Sequence, residues 1–429
     1  MTTTLKDCRI LLSKEMGDYW ASESTTPSLA ATTTLTDTQL AAKANDWIDG
    51  DREMYDLITD ADVNEHEERK LSSLASGVLT MIAHTSNNDA GVSYEVHRLF
   101  TASEKRRALI HAAKAVYPHL FIEIRDETKT SGTWGINGCF TNWASSNYPD
   151  YHRVSTITAA ENTDLLYVKR GTASCKLTRS GTDGYLYIDE DRVYDFKSLY
   201  NQNVTFSCYV FPDTDDQVRL AIYDGTDTTY SNYNSVTDAF EKLTVTATID
   251  DDPSAIEFRI YVEEDGDVFV SDERIIGPSR NKIYIGDLGL VQNKPHQVLI
   301  EPTSYTQDEP WVLIHNIRYD QTNGYMYLPN NVSSDYRLRI LGNKYLYFHD
   351  TAGDEGTDWD DDSIALDDPQ IEILVAQAII YLCIQKVVPN DTSGESKRWA
   401  QSLAYWQGEL RGRINRFGMI SQSLTVSWR

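Results

Sequence analysis

The sequence contains few cysteines, and their distribution argues against the two structures that cysteines commonly form, zinc sites and disulfide frameworks. There are five, at Cys8, Cys139, Cys175, Cys208 and Cys383. Their scatter along the chain, without CxxC spacing, argues against a zinc site and against a framework of disulfides. We therefore expect free thiols and assembly in a reducing cytoplasm.

Positive charge and long apolar runs are also scarce. The chain has 39 Lys and Arg against 65 Asp and Glu, which gives a formal net charge of -26. Because phosphate binding needs clustered basic residues, most of the surface is unsuited to nucleic acid or an anionic membrane. The most apolar segment, residues 371–384, is shorter than the about 20 residues of a membrane span, and the N-terminus lacks a signal-peptide pattern.

Catalytic motifs are absent from the sequence. It contains no HExxH, no GxSxG, no Walker-type glycine loop and no dinucleotide fingerprint. The cluster of His66, Glu67 and Glu68 fits a solvated helix face better than an active site. The acidic run 358–362 lacks the glycine and the distal glutamate of a calcium loop, so we interpret it as a solvated connector. We predict a protein that is not an enzyme.

The spacing of apolar residues divides the chain into helical ends and a β-rich middle. Residues 1–125 and 365–417 have apolar residues at helical spacing, whereas Trp134 to Phe348 is rich in alternating β-branched and aromatic residues. We predict an α+β multidomain fold: a discontinuous helical bundle with an inserted antiparallel jelly-roll sandwich and a small second β region. The two ends should meet in space to bury their apolar faces. The predicted segments are 1–130 (helical), 131–290 (sandwich), 291–350 (small β region), 351–368 (acidic loop) and 369–429 (helical, with a strand-like tail).

Three or four helices are predicted before residue 125. Capping signals and apolar stripes place them at 5–17, 36–50, 64–82 and 103–118. In the segment 64–82 the stripe consists of Leu71, Leu74, Ala75, Val78, Leu79 and Ile82. The spacing of these residues by three and four positions is typical of a helix.

The middle of the chain has the period of strands. Side chains alternate along 206–211, 219–223 and 257–262, and turn residues such as Asp224-Gly225 and Asp265-Gly266 recur at roughly ten-residue intervals. This pattern predicts an antiparallel sandwich.

Helical spacing returns after the acidic run. A helix over 369–387 carries Ile371, Leu374, Ile380 and Ile384, and its apolar residues extend almost all round. Such a helix belongs at the centre of a bundle or at a subunit interface. A last helix, with Trp399 and Phe417 near its ends, precedes the terminal segment.

The C-terminal tail alternates like an exposed strand. Leu424, Val426 and Trp428 share one face, and Arg429 ends the chain. The tail has no strand partner nearby in sequence, so it could pair with an edge strand of another chain.

Several segments of the middle region together resemble the jelly roll of carbohydrate-binding modules. The opening Asn137-Gly138-Cys139-Phe140-Thr141-Asn142-Trp143 fits N-G-x-F-x-x-W, and Gly171 to Leu177 fits G-x-x-S-x-x-L. Strands at 204–210 and 268–275 follow in the same order. The resemblance covers about residues 134–276 and implies a β-sandwich fold.

The same resemblance implies candidate ligands. Asn137 and Asp272 match positions near the structural calcium of such modules; we expect no cofactor, and the resemblance leaves room only for a structural calcium in the sandwich. Sugar binding needs aromatic faces beside polar groups, and Tyr148, Tyr151, Tyr230 and Tyr233 lie on turns where they could supply them. A purely structural decoration without a glycan remains the alternative.

The two ends resemble the head-to-tail adaptor (connector) proteins of tailed bacteriophages. The similarity lies in the short N-terminal helix, the Thr-rich stretch, the NDWIDG segment, the helix after Leu366-Asp367-Asp368-Pro369, the Trp-rich helix and the tail. Members of that family form rings, commonly dodecameric, beneath the portal, and their tails add to the portal. The large β insertion departs from the compact family pattern and leaves open a different place in the neck or tail.

These resemblances lead to one predicted function and one alternative. The first is a structural virion protein of the phage neck, a homo-oligomeric ring around the DNA channel. Its Leu424, Val426, Trp428 and Arg429 would bind the portal, and DNA would pass through the acidic lumen without specific binding. The alternative is a glycan-binding adhesion or decoration protein of the neck or tail. A glycan-active enzyme ranks third, because no carboxylate pair is marked by a motif.

Overall fold

The computed structural model divides the chain into two compact units. It describes residues 2–23, 33–43, 54–60, 66–82, 92–143, 145, 147–278, 280–301, 311–351, 353–356, 358–387 and 395–419. A first unit combines Met1–Ile122 with Tyr345–Gln422, and a second spans Glu123–Lys344. Over the described residues the chain is mostly β, with four α-helices. None of those helices is both long and apolar enough to cross a bilayer.

The first unit contains a six-stranded antiparallel sheet. Its strands are β2 (Trp20–Glu23), β3 (Thr34–Thr36), β4 (Met54–Asp60), β5 (Glu68–Ala75), β6 (Val78–Met81) and β7 (Ser93–His97), in the order β2-β7-β4-β5-β6-β3. A separate two-stranded pair joins β1 (Thr3–Thr4) to β25 (Ser363–Ile364). The sheet buries apolar side chains from β3 to β7 in a core of its own.

Four α-helices complete the first unit, and they come from both ends of the chain. They are α1 (Leu5–Glu15), α2 (Ala102–Ala115), α3 (Ile371–Val387) and α4 (Glu395–Phe417). All four contribute to one apolar core. The guanidinium of Arg413 on α4 also contacts the carboxylate of Glu15 at 3.0 Å and donates to the carbonyl of Glu372 at 2.9 Å. The two ends of the chain therefore fold together, as part of a mixed α/β unit rather than the expected helical bundle.

Four of the predicted helices have clear counterparts in α1 to α4, and α3 corresponds to the predicted helix over 369–387. α1 begins after Thr4, whose hydroxyl accepts a hydrogen bond from the Asp7 amide. α2 begins after Thr101, two residues before the predicted start, because Thr101 and Glu104 form a reciprocal capping box. The predicted Trp-rich last helix corresponds to α4, which ends at Phe417.

The predicted helix over 64–82 is wrong, because its described part, from His66 onward, contains the hairpin of β5 and β6. Leu71 and Leu74 are buried on one face although three positions separate them, since the pairing with β6 shifts register between Leu71 and Ser73. Such a bulge lets a strand mimic helical spacing. Ser76 and Gly77 turn the chain with positive φ, as a two-residue hairpin loop requires.

The predicted helix over 36–50 is also wrong in its described part, residues 36–43, which contains no α-helix. Thr34–Thr36 is a strand, and a 3-10 helix follows at Thr38–Lys43. The Asp37 carboxylate, not Thr36, accepts the hydrogen bond of the Gln39 amide, at 2.8 Å. Leu40 of this segment is buried, and the other apolar residues expected on the same helix face, Ala44, Trp47 and Ile48, lie outside the described residues.

Helix α3 is largely buried within its own chain. Ile371 and Leu374 are buried in the first unit's apolar core, Ile380 is buried outside that cluster, and Ile384 is 41% exposed. Two of the four marked residues thus lie in the core, and the role of the four at an oligomer interface stays a prediction. The tail residues Leu424, Val426, Trp428 and Arg429 lie outside the described residues.

The second unit is built from antiparallel strands. In chain order they are β8 (Ile122–Asp126), β9 (His152–Ser155), β10 (Thr158–Asn162), β11 (Ser174–Arg179), β12 (Gly184–Asp189), β13 (Asn203–Pro212), β14 (Val218–Tyr223), β15 (Thr228–Tyr230), β16 (Glu241–Thr248), β17 (Glu257–Val262), β18 (Gly266–Ile276), β19 (Lys282–Tyr284), β20 (Gln297–Ile300), β21 (Val312–Leu313), β22 (Arg318–Asp320), β23 (Tyr325–Tyr327) and β24 (Leu338–Lys344). Short 3-10 helices occur at Leu165–Tyr167, Tyr194–Leu199, Gly286–Leu288 and Val291–Asn293.

Two five-stranded sheets form the predicted sandwich. One has the order β10-β11-β18-β13-β16 and the other β15-β14-β17-β12-β9. Their inner faces share one apolar core, in which Phe206 from the first sheet and Phe258 from the second have ring centroids 5.5 Å apart. Along each strand, successive side chains point alternately into the core and outward. About half of the side chains of each sheet therefore lie on its outer face.

The remaining strands of the second unit form two small sheets, β19-β23-β22 and β21-β20-β24-β8. They share a separate core that includes Val298, Met326 and Ile340. The predicted small β region, 291–350, contains β20 to β24, whereas β8 and β19 of these sheets lie outside its bounds.

A network of buried charges lies inside the first unit. Arg9 on α1 pairs with Glu95 on β7, and Lys105 on α2 pairs with Asp18 at 2.8 Å. His97 stands between these pairs: Lys105 Nζ lies 2.9 Å from its Nδ1, and a Glu95 oxygen lies 3.2 Å from its Nε2. All five side chains are at most 2% exposed. Burial, together with the neighbouring Lys105 charge, lowers the pKa of His97 from 6.5 to about 4.

The depressed pKa of His97 predicts acid sensitivity of the first unit. Between about pH 6.5 and pH 4 the unfolded chain binds a proton at His97 that the folded chain does not bind. Stability from this group is therefore complete above pH 6.5 and falls as the pH drops, by roughly 3 kcal/mol in total. Urea unfolding followed by helical circular dichroism measures it, since the four described α-helices all lie in this unit. A His97→Gln variant should show a flatter pH profile; parallel profiles would contradict the assignment.

Candidate functional site

The outer face of the sheet β15-β14-β17-β12-β9 carries a group of tyrosines. Buried and half-buried residues alternate along β12 and β17, so every second side chain points outward. We call this surface the tyrosine face and define it by six half-buried or exposed residues: Tyr185, Tyr187, Tyr223, Tyr230, Tyr233 and Tyr261. The first four and Tyr261 lie on strands, and Tyr233 follows β15. The face belongs entirely to the second unit.

The strand register brings these rings into contact. Tyr185 on β12 is paired with Tyr261 on β17, and their ring centroids are 4.8 Å apart. Tyr187 lies 5.3 Å from Tyr185 on the same strand, and Tyr230 lies 5.7 Å from Tyr261 across β14. Four rings thus form a continuous aromatic surface. Tyr230 is the most open of them, at 42% exposed.

Two arginines lie between the tyrosines. The guanidinium of Arg259 is 4.0 Å from the ring centroid of Tyr223 and 4.7 Å from that of Tyr185. The guanidinium of Arg219 is 3.9 Å from the centroid of Tyr230 and 4.7 Å from that of Tyr233. These cation–π contacts fix the rings and leave polar groups beside them.

Carboxylates hold the arginines in place. Arg219 contacts Glu263 at 2.8 Å, and Arg259 contacts Glu257 at 2.7 Å. At the edge strand β9, Arg153 contacts Asp189 at 3.2 Å. The Tyr233 hydroxyl donates to Glu263, and this hydrogen bond, followed by burial, raises the pKa of Tyr233. The tyrosine is therefore a neutral donor at ordinary pH.

An open cleft of about 550 Å³ adjoins one end of the tyrosine face. Tyr233 belongs to both surfaces. The cleft is otherwise lined by polar residues, among them Asp215, Asp216, Ser231 and Asn232. The two aspartates are exposed. Flat aromatic rings beside convergent polar groups are the usual make-up of a site for a small polar ligand.

The four tyrosines marked from the sequence lie in different places. Tyr230 and Tyr233 belong to the tyrosine face. Tyr151 packs against the sandwich core, and its pKa is raised chiefly by burial and then by Tyr284. Tyr148 is half-buried in the loop before β9 and pairs with Ser145 in an isolated bridge. Their role as glycan contacts stays a prediction.

Sequence reasoning missed four members of the face: Tyr185, Tyr187, Tyr223 and Tyr261. Their signal is present in the segments GYLYID (184–189), VRLAIY (218–223) and EFRIYV (257–262), where the tyrosines and arginines alternate with apolar residues of the core. Every second side chain of each strand points into the core, and the side chains between them form the tyrosine face.

The predicted calcium residues do not form a calcium site. The side-chain oxygen of Asn137 accepts hydrogen bonds from the amides of Thr141 and Asn142, at 3.0 and 3.1 Å. Its amide group donates to the carbonyls of Asn142 and Asp150. Asn137 is therefore fully occupied in holding the turn that opens the sandwich. Within the described part of the chain, no group of three His, Cys, Asp or Glu residues could hold a metal ion.

Asp272 binds arginine in place of a metal. Arg274 approaches both carboxylate oxygens, at 3.0 and 2.6 Å, and Arg170 contacts one of them at 2.8 Å. All three side chains are at most 7% exposed. Burial alone would raise the pKa of Asp272, but the two guanidinium groups lower it below its ordinary value. The carboxylate has no oxygen free for a calcium ion.

Arg170 itself sits in a cage of oxygen atoms. Besides Asp272, it donates to the carbonyl of Glu127 at 2.8 Å, the carbonyl of Lys129 at 2.7 Å and the hydroxyl of Thr130 at 2.8 Å. Carbonyl, hydroxyl and carboxylate oxygens are the ligands that calcium prefers. The guanidinium of Arg170 thus occupies a group of oxygen atoms of the kind that binds a hard cation. This is the physical reason why Asp272 does not fit the calcium prediction.

No family model and no curated protein matches this chain. Among solved structures, the bacteriophage CBA120 tailspike protein 4 enzymatically active domain is similar over 34% of this chain and 21% of its own, with 11% identity and a TM-score of 0.27. The xylan-binding module of a Paenibacillus barcinonensis protein is similar over 36% of this chain and 96% of its own, with 12% identity and a TM-score of 0.27.

A third similar structure is a carbohydrate-binding module in complex with β-1,4-galactotriose, covering 34% of this chain and 99% of the module. Its identity is 12% and its TM-score 0.26. This chain spans only about a fifth of the length of the tailspike domain. Likeness at this level says nothing about what this chain binds.

The oxygen cage predicts that the sandwich is stable without calcium. Addition of calcium or of a chelator should leave the thermal midpoint of the wild-type chain unchanged. Arg170→Met should destabilise the second unit by roughly 3 kcal/mol, because it leaves a buried carboxylate and three other acceptors short of donors. The matched variant Arg153→Met, at an arginine 38% exposed, should cost less than about 1 kcal/mol. A rise in the midpoint of the wild type with calcium would contradict this account.

Proposed function

We propose that this chain is a non-catalytic glycan-binding protein and that the tyrosine face holds the sugar. The observation that carries the proposal is the continuous surface of Tyr185, Tyr187, Tyr230 and Tyr261 on the outside of a rigid sheet. The C–H groups on one side of a pyranose ring are apolar and pack against an aromatic ring, whose face is electron-rich. The sandwich core lies on the other side of this sheet, so these rings are not needed to fill it.

The polar groups of the face suit the hydroxyls of a sugar. Glu257, Glu263, Arg219 and Arg259 stand between the rings and provide both donors and acceptors. Their positions are fixed by ion pairs and by ring contacts, so little conformational entropy is lost when a ligand binds. Aromatic packing would supply affinity, and the charged groups would fix orientation.

The dimensions of the face favour a chain of sugars over a single one. Strands in a sheet lie roughly 4.8 Å apart, so the five strands from β15 to β9 extend over roughly 19 Å. The open cleft beside Tyr233 continues this surface at one end. We propose an extended oligosaccharide lying across the strands.

Substitution of the rings tests the proposal. Tyr187→Ala and Tyr261→Ala should each weaken binding to a responding polysaccharide about tenfold, which is about 1.4 kcal/mol, because each removes a flat contact surface. Tyr209→Ala is the matched control, since Tyr209 lies half-buried on β13 of the other sheet. The measurement is a glycan array with the full chain, followed by titration of the responding polysaccharide. An array without any bound glycan, or equal losses with Tyr209→Ala, would contradict the proposal.

A second function concerns the first unit, which we propose attaches the sandwich to a phage particle as a head-to-tail adaptor. Its support is that both ends of the chain fold into one unit, with Arg413 of α4 joined to Glu15 of α1 and β1 paired with β25. A ring of copies in the virion neck, bound to the portal and to neighbouring neck or tail proteins, would carry the glycan-binding sandwiches. The two functions are compatible, because they use different units.

The adaptor role predicts assembly of the full chain. Native mass spectrometry of the full chain, alone and mixed with the portal protein of the same phage, should show a closed homo-oligomer. A variant ending before Leu424 should keep its helical circular dichroism signal yet lose association with the portal, since the alternating tail is the proposed contact. A monomer under both conditions, or normal portal binding by the truncated chain, would contradict the adaptor role or the tail's part in it.

A further inference from the structure

We infer that the carboxylates of the tyrosine face select neutral glycans and reject anionic ones. This inference rests on the proposed glycan binding and adds the class of sugar. It concerns Asp189, Glu257 and Glu263, the carboxylates that pair with the arginines of the face. They act as specificity-determining residues.

The arginines of the face already use part of their hydrogen-bonding capacity on protein oxygens. The Arg219 Nε and Nη2 atoms both donate to the same Glu263 oxygen, at 3.2 and 2.8 Å. The Nε of Arg259 donates to Glu257 at 2.7 Å, and its Nη1 donates to the Tyr261 hydroxyl at 2.9 Å. A uronate or sulfate is recognised through the paired N–H groups of a guanidinium. On this face the Nε and Nη2 pair of Arg219 already serves Glu263, and two of the three nitrogens of Arg259 serve Glu257 and Tyr261.

The charge balance of the face points the same way. Arg153, Arg219 and Arg259 stand against Asp189, Asp191, Glu257 and Glu263, so three positive charges meet four negative ones, a net charge of -1. The adjoining cleft adds the exposed carboxylates of Asp215 and Asp216. The whole chain carries -26. An anionic polymer is therefore repelled both over a distance and at contact.

A neutral glycan meets no such barrier. Its hydroxyls donate hydrogen bonds to carboxylate oxygens, and hydrogen bonds with an ionised acceptor are the stronger kind. The sugar rings can pack on the tyrosines while the ion pairs remain intact. The same carboxylates thus favour a neutral ligand and disfavour a charged one.

Matched pairs of polymers test this inference with the full chain. Each pair consists of a neutral polysaccharide and its charged form, such as methyl-esterified and free polygalacturonate, or hydroxyethyl and carboxymethyl cellulose. The wild type should bind the neutral member at least about tenfold more tightly at low salt, and the preference should shrink as salt screens the repulsion. Glu263→Gln should reduce the ratio of affinities for the neutral and charged polymers. It releases Arg219 from its ion pair while keeping a side chain of the same shape. Glu257→Gln, which frees Arg259, provides the same test if Glu263→Gln fails to fold.

Asp267→Asn is the control for the change in total charge. Asp267 lies on β18 of the other sheet, where it contacts Lys176 at 2.7 Å. This variant loses one negative charge, as Glu263→Gln does, and should keep the wild-type preference. Equal or tighter binding of the charged polymers by the wild type would overturn the charge selection and leave glycan binding intact. Failure of every polymer and every arrayed glycan to bind would overturn the proposed function and the selection with it.

Discussion

The alternation of side chains along β12, β14 and β17 is the constraint on which the candidate site depends. In each strand every second side chain lies in the core between the sheets, where Leu186, Leu220 and Ile260 are fully buried. The side chains between them are held by the same backbone and must point outward. Because the sheet is held by its core, the tyrosines and arginines of its outer side are ordered without a ligand. Arg219 and Arg259 complete this order by lying against rings on neighbouring strands.

Buried cations act as braces in both units of this acidic chain. In the first unit, Arg9 and Lys105 join two helices to Glu95 and to Asp18. In the second, Arg170 ties the segment 127–130 to Asp272 on β18. A buried guanidinium offers directed donors to several oxygens at once, whereas a metal ion would have to be acquired from solution. Losing one partner of such a cluster leaves uncompensated charge in the interior, which is costly.

Much of the architecture could be predicted from the sequence, and the failures have physical causes. The turn spacing of the middle region predicted the sandwich, and the apolar spacing over 103–118 predicted α2, although its capping box at Thr101 and Glu104 lies before the expected start. The hairpin of β5 and β6 was mistaken for a helix because a bulge spaces Leu71 and Leu74 by three residues. The tyrosine face was missed because residues far apart in sequence, such as Tyr185 and Tyr261, become neighbours only through strand pairing. Calcium was expected at Asp272 because its position resembled a family site, and only the structure shows Arg170 and Arg274 beside it.

The most direct test of the account is a structure of the full chain, determined by crystallography or cryo-electron microscopy, with a bound oligosaccharide from the best-responding polysaccharide. The account predicts sugar rings packed on Tyr185, Tyr187 and Tyr261, with hydroxyls at Glu257 and Glu263. A sugar bound at the outer face of the opposite sheet, or only at the loop of Tyr148, would contradict it.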